Sequence, residues 1–393
     1  MQGAVVIDWS DAEYTGKAIK LAAGAQGLQV LTASSAAGLV VVTGECPSVG
    51  IAGGYTQSGG HSPLSTAFGL SADNTLEFEV VTADGQLVTA SPSSPDHADL
   101  FWALSGSGAG NYGVVVSATM KAHPDAITSA ASFIIGDPNL DYGAVVEAWH
   151  AVLPDILDAG MMATYYAQKD LINVYSLTGY NRTQTDLERA LAPFIASMAA
   201  INVSLQPNYT QFPSYHDHYA NYYGPLPVGI FGTAGEYLVG GRLLHRDVLP
   251  SIGPAINATF QLGVRVIGQA MNVTRFAAPS KRAVLPQWRD AVVMSSYTLP
   301  YSFSVPFSDM VASQDKITNE VMPIIEKVTP GAGAYINEGD FQQRDWQDVF
   351  FGANYGRLLE IKRRYDPKGL FYNRIAVGSE KWEIWEDGRM CEA

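Results

Sequence analysis

Six glycines fall within seventeen residues, at Gly44, Gly50, Gly53, Gly54, Gly59 and Gly60, just after a buried-type apolar run at 39–42. Such a stretch is a poor helix or strand interior, because glycine loses more backbone freedom on ordering than any other residue. It suits a loop whose bare backbone N–H groups approach an anion, or one that leaves room for a flat ring. A second cluster, Gly106, Gly108, Gly110 and Gly113, precedes a Val-rich strand at 114–120. Neither cluster is a Rossmann loop, since no strand, G-x-G-x-x-G and helix unit surrounds it. A ligand-free scaffold of tight turns satisfies the same glycines.

The flanking segments predict an α+β protein. A strand is expected at 17–24, a helix at 26–37 ending at Gly38, and another helix at 95–104. Asp84-Gly85, between apolar runs at 76–83 and 86–90, signals a hairpin. From 126 to 330 the chain becomes rich in Tyr and Pro. Helices are expected there at 142–157, 184–200 and 309–328, and strands at 171–177, 236–244 and 263–272. That alternation fits an antiparallel sheet covered by helices. A last helix over 345–365 stops before Asp366-Pro367, because the residue before proline avoids the helical region. With 393 residues, the expected division is 1–125, 126–344 and 345–393, the last segment returning to the first.

A net charge of −14 argues against a nucleic-acid partner, which needs a basic stripe. Lys362-Arg363-Arg364 reads as a solvated helical face. No run of 18 apolar residues is present, so no membrane span is expected, and no metal is expected. Cys46 and Cys391 are the two cysteines, and spacing alone does not say whether they pair. Sequons at Asn181, Asn202, Asn208, Asn257 and Asn272 point to N-glycans and the secretory pathway; chance sequons in Ser/Thr-rich surface loops are the plainer reading. No signal peptide opens the chain, and residues 2–8 read as an interior strand. The expectation is a protein secreted in a full-length form that has a further N-terminal segment.

The segment Gly44-Glu-Cys-Pro-Ser-Val-Gly-Ile-Ala-Gly-Gly-Tyr-Thr-Gln-Ser-Gly-Gly-His61 resembles the cofactor loop of the vanillyl-alcohol-oxidase-like (PCMH-type) flavoproteins. The likeness continues through Phe68–Asp73, Glu79–Gly85 and Leu100–Gly106 to Asn111-Tyr-Gly-Val-Val115. Phe351-Gly-Ala-Asn-Tyr-Gly-Arg-Leu-Leu-Glu-Ile-Lys362 and Asp366-Pro-Lys-Gly-Leu-Phe371 resemble the berberine-bridge-enzyme C-terminus. The loop and the Val377-Gly-Ser-Glu380 tail are most like fungal members similar to isoamyl alcohol oxidase.

The resemblance implies FAD, held by Gly44, Val49, Gly50, Gly53, Gly54, Gly60 and His61 of the first loop and by Asn111, Gly113, Val114 and Val115 of the second. Asn373 is a further expected contact. Cys46 stands where some members bond sulfur to the flavin; by residue type alone it is a small buried apolar group. A histidyl link to the flavin is expected only in the further N-terminal segment, along with half of the cofactor cradle and a disulfide partner for Cys391. A chain without that segment is expected to hold little FAD. Where plant relatives place a base tyrosine, Tyr335-Ile-Asn-Glu338 offers Glu338. In an apolar pocket its pKa would be raised, and it would take a substrate hydroxyl proton; a salt-bridged strand-edge Glu is the plainer reading. Tyrosines of 215–223 are candidates to line the substrate pocket. The implied activity is alcohol oxidation, with hydride passing to flavin and electrons to dioxygen. The rivals are a truncated remnant that binds no FAD and a secreted scaffold glycoprotein.

Overall fold

The structure is a computed structural model that describes residues 3–230, 236–276, 281–385 and 388–393. Strands β1 (Ala4–Ser10), β2 (Thr15–Ala22), β3 (Leu39–Val40), β4 (Thr75–Thr82), β5 (Leu87–Ala90), β6 (Gly113–Lys121) and β7 (His123–Pro124) come first. Five of them form a sheet in the order β1-β2-β6-β4-β5, each neighbouring pair antiparallel, and β3 pairs with β7. Asp84-Gly85 makes the β4–β5 turn, with Gly85 in the left-handed region. Along β4 the side chains alternate, so Phe78 and Val80 enter the core while Glu77 and Glu79 face the other side.

The second sheet uses β8 (Thr128–Ile135), β9 (Met162–Gln168), β10 (Leu171–Tyr180), β11 (Asn208–Phe212), β12 (Tyr237–His245), β13 (Arg265–Ala270) and β14 (Ala291–Pro300). Its order is β11-β8-β10-β9-β13-β14-β12, again antiparallel throughout. Helices Tyr142–Asp158, Gln184–Ala200 and Gly253–Gln261 cover one face, burying Trp149, Phe194 and Phe260 against Tyr165, Val266 and Tyr297. Strand alternation then sends Thr164, Gln269 and Ser296 to the opposite face, toward the first glycine loop and the 335–338 segment. A short hairpin of β15 (Trp382–Ile384) and β16 (Met390–Glu392) ends the chain.

Two expected helices are interrupted. The helix expected over 345–365 divides into Trp346–Phe350 and Tyr355–Tyr365, because Gly352 is left-handed (φ 55°) and turns the chain. The turn lets the Asn354 amide donate to the carbonyls of Ala283 and Val284. The helix expected over 309–328 runs as Phe307–Lys316 and Met322–Val328 around a wider turn at Ile317–Val321. Pro323 supplies no N–H to the regular ladder, and the turn absorbs the mismatch. Of the strand expected as interior over 2–8, residues 4–8 fall in β1, which lies at the sheet edge with Val5 exposed, and residue 2 lies outside the described residues. Among the described residues, no helix is long and apolar enough to cross a membrane.

Candidate active site

The first glycine loop leaves β3 and lies between the two sheets. A Cβ added at Gly50, Gly53 or Gly54 would meet no atom within 4 Å. Gly54 opens into a cleft of about 430 Å³ that Ser58, Gly108, Asn111, Asn337 and Asn373 also line. The other predicted glycines are bare for packing. A Cβ at Gly60 would lie 2.8 Å from that of Ser71, at Gly113 2.7 Å from the Val81 carbonyl oxygen, and at Gly44 3.1 Å from the Tyr55 ring. Val49 and Val114 are exposed, whereas Val115 joins the first core.

The Gln57 carbonyl ties the two loops together, accepting from the amides of Gly106 (3.0 Å) and Gly108 (2.8 Å). The Gln57 side chain donates to the Ala52 carbonyl, and its own Oε1 is buried with no hydrogen-bond partner. An orphaned buried acceptor beside bare glycine backbone is costly unless a ligand donor completes it. The apolar Ile336 wall and the cleft at the glycines suit a flat heteroaromatic ring. The residues present therefore fit FAD.

The C-terminal segment closes this region. Lys362, expected on a solvated face, is buried; its ammonium donates to the Asn111 carbonyl (2.6 Å), to Asp366 (2.6 Å) and to the Phe371 carbonyl. Three acceptors satisfy the buried charge, and the helix Tyr355–Tyr365 is thereby pinned to the second glycine loop. The Asn111 side chain is spent on the same join, donating to Ser107 and Gly108 carbonyls and accepting from the Val377 amide. Asn373 is exposed on the cleft wall.

Glu338 ends a 3-10 turn, Ile336–Glu338, whose carbonyl packs on β12 where only a glycine fits: a Cβ on Gly241 would come within 2.3 Å of the Glu338 oxygen. The Glu338 carboxylate meets His61 Nε2 at 2.8 Å through one oxygen and accepts from Ser296 Oγ at 3.1 Å through the other. Burial pushes this carboxyl up, but the His61 charge and the two hydrogen bonds outweigh it, leaving it below the usual carboxylate range. This overturns the expectation of a raised pKa: the counter-charge beside Glu338 was not visible in its own segment. Burial pulls the His61 imidazole down, and chiefly the charge and hydrogen bond of Glu338 turn the shift upward. His61 Nδ1 is buried without a partner. Neither His61 nor Glu338 lines the glycine cleft, although Asn337 and Gly339 on either side of Glu338 do.

Cys46 is half-buried and free, as is Cys391 on β16. Burial above all pushes the Cys46 thiol up to about 11. On the helix Tyr215–Tyr222, Tyr215, Tyr219 and Tyr222 are buried in a cluster with Tyr223, and Tyr219 donates to the Gly44 carbonyl (2.9 Å). They brace the loop. Sequence reading missed Glu45, Thr164, Gln269 and Ser296, which only strand register brings together. Glu45 alone carried a signal, being a charge inside an otherwise uncharged loop.

A family model described as "FAD binding domain" matches residues 1–91, and one described as "Berberine and berberine like" matches 334–378. The FAD-linked oxidoreductase ZEB1 of Gibberella zeae is 45% identical over 98% of this chain and 68% of its own length. The VAO-type flavoprotein oxidase VAO615 of Thermothelomyces thermophilus is 35% identical over 97% of this chain and 67% of its own. Among solved structures, the VAO-type flavoprotein MtVAO615 of Myceliophthora thermophila C1 superimposes with a TM-score of 0.94 at 32% identity. That match covers this whole chain and 73% of the other.

Proposed function

The chain belongs to the FAD-linked oxidoreductases of the vanillyl-alcohol-oxidase type with a berberine-bridge C-terminus, and we propose that within this class it is an alcohol oxidase. FAD-dependent oxidoreduction is the activity of the class; the alcohol, and dioxygen as final acceptor, are our reading. The observation that carries it is the His61–Glu338–Ser296 array beside the glycine cleft. Bound FAD supplies the hydride acceptor. The chain's part is to hold the substrate hydroxyl within reach of Glu338, whose side chain keeps 34% of its surface open while that of its partner His61 keeps 11%. Glu338 takes the hydroxyl proton as hydride leaves the carbon. His61 keeps the carboxylate ionised and oriented, and Ser296 holds its second oxygen.

Gly50, Gly53, Gly54 and Gln57 of the first loop, with Gly108 and Asn337, are the residues we assign to the flavin, and Cys46 to a covalent thioether with it. Incubating the FAD-loaded protein with a panel of primary and secondary alcohols tests the reading. Stoichiometric peroxide and carbonyl product are expected, and flavin that stays oxidised with every alcohol counts against it. The exposed sequons at Asn181, Asn202 and Asn208 support a secreted glycoprotein. Asn257 is less suited, because its partner Thr259 is buried in a helix. A mobility shift on glycosidase treatment of protein from a secreting host checks this, and unshifted protein would remove the proposal.

A further inference from the structure

Glu45 is buried and shares no hydrogen bond with the proton-accepting array of His61, Glu338 and Ser296. It directly precedes Cys46, and its carboxyl reaches across to the second sheet. Three contacts close a ring there. Thr164 Oγ1 lies 2.6 Å from Glu45 Oε1 and 3.0 Å from Gln269 Oε1, and Gln269 Nε2 donates to Glu45 Oε2 at 2.8 Å. Thr164 belongs to β9 and Gln269 to β13, which are paired neighbours at this level, Gln269 opposite Thr164.

The ring does not close without a proton on Glu45. A threonine hydroxyl carries a single proton. If it goes to Gln269 Oε1, the contact with Glu45 Oε1 joins two acceptors unless Glu45 donates. Turning the Gln269 amide over does not remove the need. The amide then donates to Thr164, Thr164 donates to Glu45 Oε1, and Gln269 Oε1 faces Glu45 Oε2, again two acceptors. Tyr223 also reaches Thr164, but a phenol adds a donor toward the hydroxyl and gives it no second proton.

We propose that Glu45 is a neutral carboxylic acid whose proton closes this ring, and that the ring is the latch registering the Cys46 loop against the substrate-facing sheet. Glu45 is therefore a positioning residue and not a second base. The groups around it agree. Glu338 and Cys46 both gain from having no second anion beside them, and His61 already serves Glu338. From the other elements Tyr55, Tyr175, Tyr219 and Tyr223 face it, and none brings a positive charge. Burial pushes its pKa up, and the Glu338 charge adds to the rise, against the opposing His61 charge and the hydrogen bonds from Thr164 and Gln269.

Glu45→Gln tests the latch, because an amide supplies the donor and the acceptor that the neutral acid supplies. The full-length FAD-loaded protein is used. Infrared spectra in D2O should show a protonated-carboxyl C=O band at neutral pH that Glu45→Gln removes. A group with a raised folded pKa gives stability that is present below its unfolded value and is lost as pH rises through the folded one. Glu45→Gln, which cannot ionise, should therefore match wild type only in acid, below the unfolded carboxyl's pKa, and should out-melt it increasingly as pH rises toward alkali. Glu45→Asp, one methylene short, should melt lower than Glu45→Gln throughout. A spectrum with no Glu45-dependent carboxyl band, or Glu45→Gln protein that is unstable at neutral pH or tracks wild type into alkali, overturns the proposal.

Discussion

Replacing Glu338 by Gln keeps the side chain's size and removes its charge, which separates proton acceptance from packing. A group that takes the hydroxyl proton as hydride departs acts in the transition state, so kcat should fall with little change in KM. General-base roles contribute about 10²–10⁴-fold, or about 2.7–5.4 kcal/mol of barrier at about 1.36 kcal/mol per decade. The folding cost should be smaller. Breaking a fully buried ion pair costs about 3–5 kcal/mol. Glu338 is closely surrounded, yet 34% of its side-chain surface is open, and the open surface sets the screening. About 1–2 kcal/mol is therefore expected, and the variant should stay folded with its flavin. His61→Gln supplies the sign. Without the imidazole charge, burial acts on Glu338 unopposed except by Ser296, so its pKa rises and the acid limb of the kcat/KM profile moves to higher pH. The stability that a depressed carboxyl gives is present above its unfolded value and lost as pH falls through the folded one, and His61→Gln should lack that acid-range loss. Steady-state peroxide release across the acid range, with urea melts of the same proteins, measures both. Near-normal kcat in Glu338→Gln, or an acid limb that moves down in His61→Gln, would refute the assignment.

Denatured FAD-loaded protein should keep a flavin adduct on the peptide containing Cys46, and Cys46→Ala should remove it and lower the flavin potential; a free Cys46 thiol in yellow, active protein contradicts this. Arg289 and Asp73 form a buried pair at 2.7 Å, so Asp73→Asn should cost about 3–5 kcal/mol in urea unfolding. Gly54→Leu should fold normally but lose flavin absorbance, because its side chain enters the cleft. Gly106→Ala should lose more than about 2 kcal/mol, since its Cβ would lie 2.2 Å from the Val284 amide at φ +129°; equal melting of these two glycine variants would mean that the cleft and packing roles are misassigned.

How far this was legible in the chain depends on the range over which each feature is encoded. The Asp84-Gly85 hairpin, the helix at Gln184–Ala200 and the glycine loops are local statements, carried by turn chemistry, 3.6-residue periodicity and missing side chains, and each is where the sequence places it. The glycine loop announced a cofactor cleft without saying which glycines face it. Gly53 and Gly54 look the same on paper as Gly60, and the left-handed φ of Gly60 and its close contacts with Ser71 and Tyr55 distinguish them. The charge state of Glu338 was out of reach for a related reason. Its segment is apolar, which argues for a raised pKa, while the opposing charge comes from a histidine 277 residues earlier. Lys362 misled in the opposite direction, because a basic triplet on a helix is ordinarily solvated and its three acceptors come from Asn111, Asp366 and Phe371. Glu45 is the extreme case. Its protonation follows from counting hydrogens among three side chains on a loop and two paired strands, so register had to be known before the chemistry could be posed.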